Sequence, residues 1–440
     1  MINKTSFSRR NFLKSSALGV AGFSLFPGIL TSCKEKKDII NLGFIGVGQR
    51  AMTLLNAFIQ IPGVRVTAGC DVYGIKRQRF ENFVKNFYSK NNVTSSLKIY
   101  EKFEDLLEDK NVDAVIIATP DHQHARIAIA ACKAGKDIYL EKPVTFTIFE
   151  GQELRKIVRE TGCILAIGSQ QRSDPNFQNA VNLVQSGKLG KIEKVNAYVG
   201  APPTPYDLPE EKIPDDLNWN LWLGPLSTDI HYNNQLDPPI SLNPQVNEKC
   251  WGAWRWYKEM GGGFTTDWGA HMFDIAQWGL GMDNSGPIEI APLDDEKQFI
   301  KYTYSNGTIM TSERFNKNMK GVKFWGEKGW IEVSRGYFNS SDPVLLPGIR
   351  NKEEDKTEAS YMKKIIHQVN FIESVRKHKD PTVTIEIGHR SNTVCCLGNI
   401  ALDLDRIIKW DPVKEKFVDD NDGAAAAKMS YKYRQGFPLM

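Results

Sequence analysis

Histidine and cysteine are both scarce in this 440-residue chain, with seven of each. The histidines show no zinc spacing. None of Cys33, Cys70, Cys132, Cys163, Cys250, Cys395 and Cys396 belongs to a Cys-x-x-Cys pair, and the adjacent Cys395-Cys396 is no metal motif. Cys70, Cys132 and Cys163 sit in or beside apolar runs and read as core fillers, so neither a metal centre nor a disulfide framework is expected. A membrane-spanning segment is missing too. The apolar stretch over residues 15–30 contains Pro27 and falls short of the ~20 residues a membrane helix needs. Nor is there a concentration of one charge. Lys+Arg number 56 against 52 Asp+Glu, a formal +4, and Lys4, Arg9, Arg10 and Lys14 in an acid-free leader account for all of it. The remaining neutral body excludes nucleic acid or an anionic bilayer surface as the main partner. With 41% hydrophobic residues the chain can bury sizeable cores, and its length fits two domains.

The leader is a targeting segment. Ser8-Arg9-Arg10-Asn11-Phe12-Leu13-Lys14 precedes the apolar stretch, and Leu30-Thr31-Ser32-Cys33 closes it. This resembles a twin-arginine export signal ending in a bacterial lipobox. The resemblance implies a periplasmic protein whose signal is residues 1–33. Cys33 would be lipidated, leaving the lipid as the only membrane attachment.

From residue 39 to 168 apolar strand-like runs alternate with amphipathic stretches. Strands are expected at 39–45, 64–70, 114–118, 137–140 and 163–167, with helices at 49–61, 75–86, 102–109, 124–134 and 148–161. This rhythm predicts an α/β fold with a doubly wound parallel sheet, a Rossmann domain over 38–168. Beyond it come a helix at 176–186, a strand at 191–199 and a Pro-, Asn- and Asp-rich excursion over 200–250. A helix at 264–280 and alternating strands from 298 to 333 follow. Residues 340–358 read as a polar loop, and 361–377 and 391–408 as helices. The region 169–410 therefore reads as a second α/β domain with an open, mostly antiparallel sheet for substrate binding and oligomerisation, and 411–440 as a polar tail.

Gly46-x-Gly48-x-x-Ala51 joins the first strand to the first helix and is a dinucleotide fingerprint. Gly46 makes the tight turn, and Gly48 lets backbone N–H groups approach a pyrophosphate at the helix N-terminus. Gln49 and Arg50 belong to the same turn. Asp71 ends the second strand at the expected separation and suits a ribose diol, which favours NAD over NADP. Lys76 and Arg77 offer an alternative 2′-phosphate site but read better as a solvated helix face. Ala118-Thr119-Pro120-Asp121-His122-Gln123-His124 follows the third apolar strand, where ligands of such sheets bind. Thr119, Pro120 and His124 are its cofactor contacts, and Thr119 or Asp121 also suits a helix cap.

Glu141-Lys142-Pro143 ends the next strand. With the fingerprint and the Ala-Thr-Pro-x-x-x-His loop, it makes residues 38–410 resemble the Gfo/Idh/MocA oxidoreductases. That resemblance places Glu141 and Lys142 against the cofactor, with Lys142 beside the nicotinamide, where an ammonium can stabilise alkoxide charge. Gly261-Gly262-Gly263 leads into Asp267-Trp268-Gly269-Ala270-His271, which matches the family's Asp-x-x-x-His pair on one helical face. His271 would take a hydroxyl proton as hydride leaves the same carbon. Asp267 would orient His271 or bind a substrate hydroxyl, and Asp274 reads as a structural acid. Seven of the ten tryptophans fall between residues 219 and 278. Trp256 and Arg255 are candidates against a sugar face and a hydroxyl or carboxylate, the other tryptophans largely for packing. Arg172, after Gln170 and Gln171, is a further substrate candidate. The resemblance implies a homo-oligomer, dimer or tetramer, that oxidises a sugar, cyclitol or glycoside with retained NAD. Two alternatives stand beside it: an NAD-dependent glycoside hydrolase, whose active-site stretch carries Thr-His-Gly instead, and a catalytically idle sugar-binding lipoprotein.

Overall fold

A computed structural model describes residues 39–94, 96–242, 250–346 and 365–439. The leader and Cys33 lie outside the described residues. The first sheet has six strands: β1 (Ile40–Ile45), β2 (Val64–Cys70), β3 (Lys98–Tyr100), β4 (Ala114–Ile117), β5 (Asp137–Leu140) and β6 (Leu165–Ile167). All pair in parallel, in the order 3-2-1-4-5-6. β4 and β5 are buried at every position, as strands covered on both faces must be. The covering helices are α1 (Gln49–Phe58), α2 (Gly74–Lys90), α3 (Phe103–Glu108), α4 (Asp121–Lys133) and α5 (Ile148–Thr161). Strand order reverses between β1 and β4, so the crevice beyond their carboxyl ends is the switch point at which such sheets bind ligands. β3 was not expected from the sequence; it is a three-residue edge strand with no fully buried position, too short for a periodic signal.

The second half begins with α6 (Pro175–Gln185) and β7 (Ile192–Tyr198) and runs through α7 (Trp219–Leu223), α8 (Gly263–Asp267) and α9 (Gly269–Gly279). The single helix expected over 264–280 thus divides at Trp268. The strands β8 (Glu289–Pro292), β9 (Ile300–Thr303), β10 (Ile309–Thr311), β11 (Gly321–Gly326), β12 (Gly329–Ser334) and β13 (Tyr337–Ser340) follow. After α10 (Ile366–Lys377) and α11 (Ile385–Leu404) come β14 (Ile408–Asp411) and β15 (Lys416–Val418). The sheet order is 13-12-11-7-10-9-8-14-15, antiparallel throughout except for β7 with β10. Asp405 takes a left-handed conformation (φ 52°) that ends α11 earlier than the pattern suggests and frees the chain to enter β14.

The tail is not a solvated appendage. β15 extends the second sheet, Leu439 is buried in the core of the first domain, and the Tyr431 and Tyr433 hydroxyls donate to Glu150 Oε1 at 3.1 and 3.3 Å. α10 likewise packs on the first sheet, with Phe371 edge-on to Phe58 and Tyr139. Residues 200–260 have few elements yet a core of their own, in which Trp219 stacks on Trp222 at 4.4 Å and Trp254 is buried. Each such side chain contributes ~1.5–3 kcal/mol. Cys132 and Cys163, far apart in sequence, bring their thiols to 3.0 Å. Among the described residues no helix is long and apolar enough to cross a membrane.

Candidate active site

Gly46 has φ +76°, and a Cβ there would lie 2.7 Å from the Thr119 methyl, so this turn admits only glycine. At Gly48, the N-cap of α1, an added Cβ would meet nothing nearer than Lys76 Nζ at 4.0 Å, and no side chain caps the helix. The open space and the uncapped N–H groups together make an anion seat. Asp71 accepts from Val47 N (2.8 Å) on one oxygen and Tyr73 N (3.0 Å) on the other, which leaves each oxygen a lone pair for a ribose diol. These residues fit a dinucleotide and would hold its pyrophosphate and ribose. Gln49, Arg50, Thr119 and Pro120 line the same groove.

The solvated-face reading of Lys76 is wrong. Lys76 is buried and ion-paired with Asp237 of the excursion, while Arg77 donates to the Asp71 carbonyl at 2.6 Å. Lys76 thus lines the groove as half of an ion pair, and Arg77 braces the Asp71 backbone. Asp237 of the excursion, with Trp251 and Trp254 just after it, also lines the groove. His124 does not line it. Its ring is buried between the Pro143 carbonyl (2.7 Å from Nδ1) and the Thr119 carbonyl (3.0 Å from Nε2), and in the neutral form its single N–H donates to one of the two. Burial holds it down at about 4, in the neutral form.

A cavity of about 930 Å³ adjoins the groove, and Arg50, Thr119 and Arg255 line both. Within it Lys142 Nζ donates to the Asp267 carboxylate at 2.7 Å and to the Asp267 carbonyl at 2.8 Å. Burial alone would raise the Asp267 carboxyl, but Lys142 and then Arg255 outweigh it and hold it below its ordinary value. Asp267 therefore positions Lys142; no hydrogen bond joins it to His271. His271 also lines the cavity. Its Nδ1 is buried without a partner. Burial first, then the charges of Lys142, Arg335 and Arg50, push the imidazole well below its ordinary value, so it is neutral. Behind Lys142, Glu141 is engaged by Arg50 at 2.6–2.7 Å.

Arg172 is not part of the cavity wall. It is 3% exposed and spends its guanidinium on Asp274 and Asp283 at 2.7–3.0 Å, which makes it a structural partner of the buried Asp274. Its neighbour Gln171 carries the opening instead: both amide atoms are buried without a partner on the cavity wall. Trp256 lies on the wall, stacked on Phe264 at 4.2 Å. Charged groups beyond those expected from the sequence also line this cavity. Asp121 is buried in it, and burial, opposed by Arg255 and Lys142, raises its carboxyl to about 8. Arg335 reaches it from the β12–β13 turn, and Lys320 stands 3.7 Å over the Phe264 ring. No local motif marks Arg335; only the sheet topology brings it here.

Residues 40–169 match the model of an oxidoreductase family described as an NAD-binding Rossmann fold, and residues 197–437 that of the family's C-terminal alpha/beta domain. The chain belongs to the Gfo/Idh/MocA oxidoreductase family. Among curated relatives, scyllo-inositol 2-dehydrogenase (NAD(+)) of Bacillus subtilis is 36% identical over 23% of this chain and 31% of its own length. A glycosyl hydrolase family 109 protein of Parabacteroides distasonis is 28% identical over 54% of this chain and 56% of its own. The chain thus matches about a third to a little over half the length of these relatives. Two solved structures share the fold. One is the WlbA dehydrogenase of Bordetella pertussis in complex with NADH and UDP-GlcNAcA (TM-score 0.59, 17% identity, 85% of this chain and 99% of that one). The other is scyllo-inositol dehydrogenase of Lactobacillus casei with NAD(H) and scyllo-inositol (TM-score 0.54, 16%, 84% and 99%).

Proposed function

We propose that this Gfo/Idh/MocA protein is an NAD-dependent oxidoreductase acting on a hydroxyl-bearing carbon of a sugar, cyclitol or glycoside. The observation that carries the reading is the Lys142–Asp267 pair and a neutral His271 in one cavity that adjoins the dinucleotide groove. Bound NAD supplies the hydride acceptor. The chain's own residues handle the oxygen and its proton. Lys142 donates to the reacting oxygen and stabilises its negative charge, while Asp267 fixes the ammonium. Neutral His271 accepts the hydroxyl proton. The unpartnered amide of Gln171 offers a donor and an acceptor together, which suits a polyol. Inositol dehydrogenases among the relatives support this substrate class.

The contribution of Trp222 and Asp237 from the excursion to the groove wall supports a cofactor retained through the catalytic cycle. The leader supports twin-arginine export, a periplasmic location and lipidation at Cys33. The second sheet's face bearing Trp325 and Trp330 supports a dimer or tetramer. The test of the main reading is a screen of sugars, cyclitols and aryl glycosides with the purified protein, following both NADH absorbance and aglycone release. NADH formation without aglycone is the expected result. Aglycone release with no net NADH would replace it with hydrolysis by oxidation–elimination; the family 109 relative is named a glycosyl hydrolase. Neither signal on any substrate would remove both.

A further inference from the structure

The charges around the cavity do not cancel. Its walls carry Arg50, Lys142, Arg255 and Arg335 against Asp121, Glu141, Asp174 and Asp267. Arg50 is committed to Glu141 and Lys142 to Asp267. Asp174 caps α6, accepting from Asn176 N at 2.8 Å and Phe177 N at 3.4 Å. Asp121 is buried and, with its carboxyl raised to about 8, largely uncharged at neutral pH. Counting Glu141, Asp174 and Asp267 against the four cations leaves the wall one positive charge in excess, and neither Arg255 nor Arg335 meets a carboxylate within ion-pairing distance among the described residues. Arg255 lines the dinucleotide groove as well as the cavity, so a pyrophosphate is within its reach; Arg335 lines the cavity alone.

We infer that the substrate of this cavity bears an anionic substituent, and that Arg335 at the tip of the β12–β13 hairpin binds it. The inference rests on the reading of the cavity as a sugar-oxidising site. Arg335 differs from an ordinary solvated loop arginine in two ways. Its guanidinium is held 4.6 Å from the Trp268 ring, an arrangement that fixes the plane and consumes no N–H donor. Trp268 in turn directly follows Asp267 and stands edge-on to His271 at 6.0 Å, so the fork belongs to the wall that carries the reacting groups. Burial and then the neighbouring Arg50 press the Arg335 guanidinium below its ordinary value, against the more distant pull of Asp267, Glu141 and Asp174. An arriving anion therefore relieves a repulsion and breaks no existing ion pair. A planar fork with free donors matches a carboxylate in two parallel hydrogen bonds, and a sulfate ester presents the same oxyanion edge.

The experiment titrates the NADH-loaded protein with D-glucuronate, D-glucose 6-sulfate and D-glucose by calorimetry, then measures kcat/KM for each with NAD. At least one anionic sugar should be preferred to glucose by about 10-fold or more, and whichever wins identifies the oxyanion. In Arg335→Gln that preference should shrink about 10- to 100-fold, and Arg335→Lys should restore part of it. Glucose bound as well as both anions, or a preference that survives Arg335→Gln, overturns the inference. Because binding is read without turnover, the two readings fail separately. Arg335-dependent anion binding without hydride transfer sinks the oxidoreductase reading alone. Turnover of neutral sugars with no Arg335-dependent anion preference sinks this one alone.

Discussion

The dinucleotide groove and the cavity beside it share a wall but are assembled in opposite ways. Gly46, Gly48, Ala51 and Asp71 all come from one strand–helix–strand unit, and their geometry is local. Gly46 is confined by its own φ and by Thr119 on the adjacent strand end, and Asp71 is fixed by the backbone N–H of Val47 in the fingerprint turn and of Tyr73 just after its own strand. The cavity closes only when residues 125 apart in sequence meet, as Lys142 and Asp267 do. Its rim comes from a hairpin tip of the second sheet and the 3-10 turn Ala253–Trp256 that follows the excursion. The difference teaches where each site is vulnerable. The groove depends on backbone conformation, the cavity on charges brought together by the whole fold.

The sharpest way to separate the two is to break the cavity while sparing the groove. Lys142→Ala and His271→Ala should each lower kcat by about 10²–10⁴-fold, with NADH affinity, measured by fluorescence titration, within a few-fold of normal. An equal loss of NADH binding would show that the two regions are not separable. The next largest effect is on stability. Arg172→Ala strands the Asp274 carboxylate, 1% exposed, without its guanidinium. Removing one partner of a buried pair costs about 3–5 kcal/mol, read as a lowered denaturation midpoint. A large rise in KM with an unchanged midpoint would return Arg172 to the substrate site. In the groove, Gly46→Ala forces a left-handed alanine, at about 1–2 kcal/mol, and drives its Cβ into Thr119. It should weaken NADH binding more than it changes kcat at saturating NAD.

The same contrast explains what was legible in the sequence. The fingerprint, Asp71 and the alternation of strands and helices are local patterns, and the parallel sheet follows from them. Lys142, Asp267 and His271 were legible because each lies in a recognisable run. Arg172 was misread because position after a strand does not say which way a side chain turns; Asp274 and Asp283, about a hundred residues on, decide that. Lys76 was misread because a basic helix face is normally solvated, and nothing local reveals that the excursion brings Asp237 onto it. Arg335 had no signal, since it enters the cavity only through the pairing of β12 with β13. The tail looked polar because its anchors are single residues such as Tyr431 and Leu439, with no periodic face.

The smallest expected effect is one of shape, and it tests whether the cavity's charges act as described. An ordinary histidine, with a pKa of ~6.5, would lose about three quarters of its neutral form between pH 7.5 and 6.0. His271 is held well below that value by burial and by Lys142, Arg335 and Arg50. Lowering the pKa extends the neutral, proton-accepting form to more acidic pH, so kcat/KM should change less than about two-fold over that range. A base held by a carboxylate would behave in the opposite sense, its pKa raised and its activity already falling below pH 8. On the alkaline side the group that titrates is Asp121, raised to about 8. Above that pH a new negative charge appears among Arg255, Lys142 and Asp267, so any bend in the profile near pH 8 should disappear in Asp121→Asn. A bend near pH 6.5 in both proteins would show that His271 is more solvated, and the cavity less positive, than this packing requires.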